Sequence, residues 1–397
     1  MKDSKGFNLL TVIIIICVTS ITSAITIGVI ITSSYRNRTG LSYEQIKSDA
    51  ALNELLEAYS SITNSYYEEI DKEELVNSAI NSMLNYLDDS YTTYLDPSSS
   101  QSLEEKLSGT YEGIGIEIKN RTIVRVLDDT PAKKAGLEVN DEIIAINGID
   151  VTTYSSSALS VLIKNSESNK IEIKVLRGEE ELTFYAEKAT LISKDVYYEL
   201  NDNNIGYMNL EVFSKTLDTQ VKNALTDLES QGMEKLIIDL RGNTGGYLDV
   251  CENIANYFLE NGKLVYSLEN KDGKESFYDN TDEARNYPIV ILMNKTTASA
   301  SEILASALKD SYSSKIYLIG NTSFGKGKVQ QTYDLSDGSK AKYTTAKWLR
   351  PNGECIDEVG LTPDFEVSIT YEYDDEGNVV KAYDTQLDRA IEIISAM

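Results

Sequence analysis

Two serines lie where an apolar strand pattern gives way to a helical one, in the segment from Asn294 to Ile303. Ser299 and Glu302 have the spacing of a capping box, in which a hydroxyl and a carboxylate each bond the other's backbone N–H group. This spacing predicts that Ser299 is the N-cap and that Ser301 lies in the first turn, where backbone N–H groups lack helical partners. We therefore expect Ser301 to be the nucleophile, with the Glu302 N–H beside it as an oxyanion donor. The small residues could also serve only to let the helix pack closely on a sheet.

A lysine could activate this serine, because the chain contains no histidine and so cannot use Ser-His-Asp or Cys-His catalysis. In the segment from Phe324 to Gln330, Lys326 lies between two glycines and Lys328 follows the second of them. A lysine acts as a general base only when neutral, and burial must lower its pKa by about three units from about 10.4. Gln330 could orient the amine without holding a proton on it. Spacing does not choose between the two lysines, and a solvated turn is the simpler alternative.

The segment from Gly320 to Lys326 also matches most of a phosphate-binding P-loop. In that motif the next residue is Ser or Thr, which binds magnesium, whereas here it is Gly327. A helix should follow, yet residues 330–343 have the pattern of two strands around an Asp337-Gly338 turn. We therefore reject a nucleotide-binding function.

A glycine-rich loop, Asp239 to Tyr247, follows an apolar strand. Such a loop brings backbone N–H groups close to a bound molecule, so Gly245 or Gly246 could donate the second oxyanion hydrogen bond. By itself this pattern is weak, because glycine loops also turn corners.

The composition excludes several classes of function. A net charge of −26 excludes nucleic-acid binding, which requires a basic face. Three widely separated cysteines cannot form a zinc knuckle or a disulfide framework, and we expect no metal and no cofactor. Cys251 and Cys355 could pair outside the cytoplasm, but we expect two unpaired, buried thiols.

Residues 1–35 are expected to form a cytoplasmic tip and a membrane anchor, because Leu9 to Ile31 is a nearly continuous apolar run. A cleaved signal peptide ending near Ala24 is the alternative. The acidic remainder would be repelled by anionic lipid, so we expect a body tethered outside the cytoplasm.

The remaining chain divides into three regions, so the predicted fold class is multidomain α/β. Residues 36–107 have helical periodicity and predict a helical arm or dimerisation region. Residues 108–190 alternate apolar and polar positions and predict a small β-rich domain. Residues 191–397 alternate buried strands with helices and end in a predicted helix.

Considered in order, eight motifs resemble those of the carboxyl-terminal processing peptidases, serine proteases that carry a PDZ domain and cut proteins near their C-termini. The motifs are Leu87 to Leu95, Gly113 to Ile116, Pro131 to Gly136, Asp141 to Gly148, Asp239 to Gly246, Ala298 to Glu302, Phe324 to Gln330 and Gly360 to Asp364. A proline usual in the glycine loop is replaced by Thr244, which could loosen that loop. The resemblance implies a crotonase-like α/β protease core in residues 191–397.

The resemblance also implies roles for individual residues. It implies a dyad of Ser301 and Lys326 supported by Gln330, and it selects Lys326 over Lys328. The implied oxyanion donors are the N–H groups of Glu302 and of Gly245 or Gly246.

Residues 108–190 would be the PDZ domain, in which the Gly113-Ile114-Gly115-Ile116 loop binds a substrate's terminal carboxylate and the peptide adds beside a strand. Arg177 is the candidate for gating the protease. The implied partners are polypeptides with a free C-terminus, the membrane and a second copy of the chain. The alternative function is a non-catalytic PDZ adaptor with a degenerate protease fold.

Overall fold

The computed structural model describes residues 43–312, 316–374, 376 and 378–397. The chain forms two compact units, and the boundary between them lies between Ser82 and Met83. Across these described residues, the helices are all too short or too polar to span a bilayer. The predicted anchor at residues 9–31 and the alternative cleavage site near Ala24 lie outside the described residues.

The amino-terminal region is helical, as predicted. It contains α1 (Tyr43–Ser48), α2 (Ala50–Ser65) and α3 (Lys72–Asn85). Asp49 begins α2 by accepting a hydrogen bond from the Leu52 N–H at 3.0 Å. No residue of α2 is buried. The proposed dimerisation role of this region stays a prediction.

The Asp-Pro-Ser-Ser-Ser cluster at residues 96–100 has the composition of a turn, but these residues begin a helix. After β1 (Thr93–Leu95), Asp96 accepts a hydrogen bond from the Ser99 N–H at 2.7 Å, and Pro97 occupies the first turn of α4 (Pro97–Ser108). Proline is favoured there because its missing N–H has no helical acceptor. An Asp followed by Pro and Ser residues can therefore begin a helix as well as form a turn.

The β-rich domain contains one six-stranded sheet with its own hydrophobic core. Its elements are β3 (Ile116–Lys119), β4 (Thr122–Val126), α5 (Pro131–Ala135), β5 (Glu142–Ile146), β6 (Ile149–Asp150), α6 (Ser156–Lys164), β7 (Lys170–Arg177) and β8 (Glu180–Glu187). The main strand order is β3-β4-β5-β7-β8, so β3 lies at an edge of the sheet.

Two short strands flank this domain and pair with each other. They are β2 (Thr110–Gly113) and β9 (Ala189–Ile192), and Gly113 lies opposite Ala189 in an antiparallel register. The domain is therefore inserted between two paired strands that both lead to the rest of the chain.

The carboxyl-terminal region is built on a mixed sheet of order β10-β11-β12-β15-β16-β19, flanked by helices on both faces. The strands are β10 (Val196–Leu200), β11 (Ile205–Leu210), β12 (Lys235–Asp239), β15 (Ile289–Met293), β16 (Ile316–Gly320) and β19 (Phe365–Glu366). The helices are α7 (Leu217–Ser230), α8 (Leu248–Asn256), α9 (Ala300–Ser311) and α10 (Thr385–Ser395). The predicted apolar strands β12 and β15 are parallel neighbours at the centre. Their carboxyl ends meet at one edge, where ligands of α/β sheets bind.

A second sheet has the order β1-β18-β13-β14, with β17 also paired to β18. Its later strands are β13 (Leu264–Asn270), β14 (Gly273–Tyr278), β17 (Lys328–Asp334) and β18 (Lys340–Leu349), and a separate hairpin follows as β20 (Thr370–Tyr373) and β21 (Val379–Tyr383). The segment after Lys326 is thus a strand, as predicted, which agrees with the rejection of a P-loop.

Candidate active site

Ser299 lies at a strained turn between the carboxyl end of β15 and the start of α9. Its φ is 58° and its ψ is −120°, a region that non-glycine residues rarely occupy and that costs roughly 1–3 kcal/mol. Ser299 is the N-cap of α9, as the capping-box spacing predicts, and its side chain is partly exposed. A serine held on such a turn between a strand and a helix is characteristic of hydrolase nucleophiles.

Ser301, our predicted nucleophile, is in the wrong place for that role. Its side chain is completely buried, with 0% exposure, and its hydroxyl donates a hydrogen bond to the Asn243 carbonyl at 3.0 Å. The first turn of α9 directs this side chain into the core rather than toward the edge of the sheet. Ser301 therefore supports the loop that contains Asn243.

The Glu302 carboxylate joins the start of α9 to the segment that carries Lys326. One oxygen accepts hydrogen bonds from the Ser299 N–H at 2.7 Å and the Lys326 N–H at 3.0 Å. The other accepts from the Ser323 hydroxyl at 2.5 Å and the Gly325 N–H at 2.7 Å. Because one oxygen atom binds both backbones, Ser299 and Lys326 lie side by side. Burial raises the pKa of Glu302, while these four donors act in the opposite direction.

The surroundings of Lys326 lower the pKa of its amine. Burial lowers the pKa of its amine, the positive charge of Lys342 adds to this effect, and the negative charge of Glu302 opposes it. The buried Trp348 indole N–H fixes the Lys326 backbone by donating to its carbonyl at 2.7 Å. No hydrogen bond joins the Lys326 amine to Ser299 or Ser301 among the contacts of the described residues.

Lys328 differs from Lys326 in its electrostatic surroundings. Burial would lower its pKa, but Asp357 and Asp89 outweigh burial and raise it. The amine of Lys328 lies 3.4 Å from an Asp89 oxygen and 3.8 Å from an Asp357 oxygen. A lysine paired in this way stays charged and cannot accept a proton, so the geometry favours Lys326 as the base.

Gln330 lies on β17 but contacts a different group from the one we expected. Its amide donates to the Thr344 hydroxyl at 3.2 Å, and Thr344 in turn donates to Asp89 at 2.6 Å. Within the described residues Gln330 makes no hydrogen bond to Lys326. Its support of the dyad stays a prediction.

The glycine loop lies directly against Ser299. A Cβ atom on Gly245 would lie 2.8 Å from the Ser299 Cβ and from the Ala298 carbonyl oxygen, and φ at Gly245 is +95°. Only glycine fits this approach and this conformation. The buried Asn243 side chain shapes the loop by accepting a hydrogen bond from the Gly245 N–H at 2.9 Å.

Two of the predicted oxyanion donors are already occupied. The Glu302 N–H donates to the Ser299 carbonyl at 2.8 Å, and the Gly245 N–H donates to Asn243. The N–H groups of Gly246 and Ala300 have no acceptor among the described residues, and they flank Ser299 from the loop and from the first helical position. These two N–H groups are therefore available to a bound molecule, whereas those of Glu302 and Gly245 are not.

In the β-rich domain, the predicted carboxylate loop presents unused backbone donors beside an edge strand. The carbonyls of Ile114 and Gly115 accept hydrogen bonds from Ala132 at 2.8 Å and Leu127 at 3.0 Å. Their N–H groups have no acceptor among the described residues. Gly115 has a φ of +90°, and a Cβ there would lie 2.3 Å from Thr130. The adjoining β3 contains Ile116, while Gly113 ends β2.

Arg177, the predicted gating residue, is engaged inside its own domain. It contacts the fully buried Asp141 at 2.7 Å, Glu138 at 3.0 Å and the Gly136 carbonyl at 2.8 Å. These contacts hold Arg177 against its own domain, and its role in gating stays a prediction.

The two cysteines in the described residues are both free, as expected. Cys251 is buried, and burial raises its pKa. Cys355 is exposed, which corrects the expectation that both thiols are buried.

Three family models match the chain in succession. Residues 30–99 match the amino-terminal domain of the activating protease CtpB, residues 98–187 match the PDZ domain, and residues 204–367 match peptidase family S41. The chain is 36% identical to the carboxy-terminal processing protease CtpA of Bacillus subtilis over 327 residues, which are 81% of this chain and 70% of that protein. This chain belongs to peptidase family S41.

A second relative in sequence agrees with this assignment. The S41 peptidase is 34% identical to the carboxy-terminal processing protease CtpB of Bacillus subtilis over 325 residues, covering 79% of this chain and 67% of that protein. A photosystem II D1 C-terminal processing protease of known structure is 26% identical with a TM-score of 0.46, covering 81% of this chain and 94% of that one. The predictions of a serine peptidase and of a PDZ domain are confirmed.

Sequence reasoning missed three features of this S41 site: Ser299 as the partly exposed serine, the free Ala300 N–H, and the Glu302 carboxylate that joins the two segments. One signal in the sequence pointed to the first. Ala298 and Ala300 flank Ser299 with small side chains, which a sharp turn requires, whereas Ser301 is followed by the larger Glu302.

Proposed function

We propose that this S41 peptidase cleaves polypeptides near their C-termini with Ser299 as the nucleophile and Lys326 as the general base. The observation that supports this most strongly is the strained, partly exposed Ser299, bound through Glu302 to the backbone of a lysine whose pKa is lowered by burial. Ser301 is not proposed as the nucleophile, because it is buried and bonded to Asn243.

In the proposed acylation step, the Ser299 oxygen attacks the scissile carbonyl carbon and its proton passes to the neutral Lys326 amine. The resulting oxyanion accepts hydrogen bonds from the Gly246 and Ala300 N–H groups. The Lys326 ammonium then gives the proton to the leaving amine as the C–N bond breaks. Substrate binding must first bring the amine within hydrogen-bond reach of Ser299, since apo sites often have loose catalytic contacts.

In deacylation, water attacks the ester carbonyl and gives a proton to Lys326. The Ser299 oxygen leaves and recovers its proton from that ammonium. The same lysine therefore serves both steps.

The PDZ domain would select the substrate. A terminal carboxylate would bind the free N–H groups of Ile114 and Gly115, and the peptide would extend the sheet along the free edge of β3. This mode requires a free C-terminus, because an amidated end carries no charge. Anchoring to a membrane, location outside the cytoplasm and homodimerisation remain proposals from the sequence.

The test compares alanine variants of the two serines on a peptide with a free C-terminus. Ser299→Ala should lower kcat to background, a loss of about 10⁴-fold or more. Ser301→Ala removes one hydrogen bond to a supporting loop and should keep activity within about tenfold of the parent. The proposal fails if Ser299→Ala turns over normally and Ser301→Ala does not.

A further inference from the structure

The segment from Asp89 to Leu95 lies against the base of the proposed dyad, although the proposed mechanism assigns it no role. The ring of Tyr91 is partly buried, and its centre lies 5.4 Å from the Lys326 amine and 5.6 Å from the Lys328 amine. Tyr91 thus lies near both the lysine proposed as the base and the lysine that stays charged.

Asp89 fixes this segment to the second sheet. Its carboxylate accepts hydrogen bonds from Thr92 at 2.7 Å and Thr344 at 2.6 Å, and it pairs with Lys328. Burial acts to raise the pKa of Asp89, but these hydrogen bonds and the charge of Lys328 outweigh burial and lower it. Beyond Thr92, β1 pairs with β18 in an antiparallel register. The position of the Tyr91 ring is therefore set from both sides.

Burial raises the pKa of the Tyr91 phenol, and the carboxylates of Asp357, Glu302 and Glu358 act in the same direction, whereas the charge of Lys328 acts against them. A neutral ring next to an amine can do two things: it excludes water, and its face attracts the ammonium form. Burial is the largest cause of the lowered Lys326 pKa, and the Tyr91 ring is one of the groups that lie against this amine.

We propose that Tyr91, held by Asp89, is a positioning residue that covers the Lys326 amine and keeps water away from it. This inference rests on the proposed function of Lys326 as the base. It extends the catalytic site to a segment that precedes the PDZ domain in the chain, far from Ser299 in sequence.

The test measures how the rate of Ser299 acylation by a fluorophosphonate probe depends on pH in the full chain. Loss of the ring in Tyr91→Ala should hydrate Lys326 and return its pKa toward 10.5, so that the rising limb moves to higher pH. The acylation rate at neutral pH should fall about tenfold while KM for a tail peptide changes little. Glu302 and Lys342 also face the amine, but they are the same in every variant.

Two variants separate the ring from its hydroxyl and from general damage. Tyr91→Phe keeps the ring and should stay within about twofold of the parent at every pH. Tyr86→Ala, a control whose side chain is 88% exposed in the preceding connection, should leave the pH limb in place. Asp89→Asn preserves the size of the side chain and should shift the rising part of the pH profile in the same direction as Tyr91→Ala. If the alanine variant does not fold, the asparagine variant provides the test.

The inference is overturned if the rising part of the pH profile of acylation stays in place in both Tyr91→Ala and Asp89→Asn. It is also overturned if Tyr91→Phe and Tyr91→Ala lose acylation rate equally. These failures are distinct from failure of the proposed function. If the parent is labelled at Ser299 but the pH profiles of the variants do not shift, the proposed dyad stands and only the role of Tyr91 is wrong. If Ser299 is never labelled, the proposed function itself is wrong.

Discussion

At the scale of single residues, two pairs that look equivalent in sequence have opposite environments. Ser299 is strained and partly exposed, whereas Ser301 is buried and hydrogen-bonded. Lys326 is surrounded by conditions that lower its pKa, and Lys328, two positions on, has carboxylates that raise it. The proposed mechanism uses the exposed member of the serine pair and the member of the lysine pair whose pKa is lowered.

Replacing each of the two lysines should change the melting temperature in opposite directions. In the folded chain the pKa of Lys326 lies below its unfolded value of 10.5, so its contribution to stability is lost as pH falls from 10.5 through the folded-state pKa. Lys326→Met should therefore raise the melting temperature at neutral pH while it abolishes cleavage. Lys328→Met should lower the melting temperature, because it leaves Asp89 and Asp357 without their cation. Calorimetry at pH 7 checks both, and a lower melting temperature for Lys326→Met would contradict the account.

The Glu302 carboxylate should be hard to replace, even by its own amide. Each of its oxygens accepts two hydrogen bonds, so the NH₂ group in Glu302→Gln would face two donors. We expect a loss of about 2 kcal/mol in the free energy of unfolding and a fall of about 100-fold in kcat. Urea unfolding and peptide kinetics measure these effects. Glu275→Gln, on the exposed part of β14, is the control and should change neither.

The strands and the glycine loop of the site could be predicted from sequence, because the local pattern of apolar residues and glycines determines them. The apolar runs of β12 and β15 predicted buried parallel strands, and glycines 245 and 246 marked a loop that approaches another backbone closely. The nucleophile could not be chosen in this way. The capping-box spacing fixed Ser299 as the N-cap, but spacing carries no information about the positive φ that presents its side chain, nor about the Asn243 carbonyl that binds Ser301.

At the scale of elements, the β3 edge and the loop before it should bind a terminal carboxylate. Gly115→Ala should weaken binding of a free-tail peptide at least tenfold, because the added Cβ would lie 2.3 Å from Thr130 at a φ of +90°. Fluorescence anisotropy with labelled free and amidated peptides measures this. Gly178→Ala is a matched control in the same domain, since φ there is +66° but no atom lies within 4 Å of the added Cβ.

Gly178→Ala should keep the parent's preference for the free peptide. Equal binding of free and amidated peptides by the parent chain would contradict the proposed carboxylate loop.

At the scale of the whole molecule, the PDZ domain is an insertion with a core of its own. Its buried cluster is separate from those around the main sheet of the protease region. The paired strands β2 and β9 place Gly113 opposite Ala189, so the two ends of the insertion lie side by side. The sequence showed the change of pattern at both ends, but it could not show that the two flanking segments pair.

Replacing residues 114–188 by an Asn-Gly turn should therefore leave a folded protease region. Such a turn suits two antiparallel strands in register. We expect the shortened chain to be labelled at Ser299 by a fluorophosphonate but to lose its preference for free over amidated tails. Circular dichroism, labelling and peptide cleavage measure these properties. Unchanged tail selectivity would show that the PDZ domain does not select the substrate.

The most direct test of the central claim is to locate the covalent adduct after reaction with a fluorophosphonate. Tandem mass spectrometry of the peptide that contains residues 296–309 distinguishes the two serines, because Ala300 separates them. The account predicts one adduct, on Ser299, with a yield that rises with pH and vanishes in Lys326→Met. An adduct on Ser301, or equal labelling of the Lys326→Met variant, would contradict it.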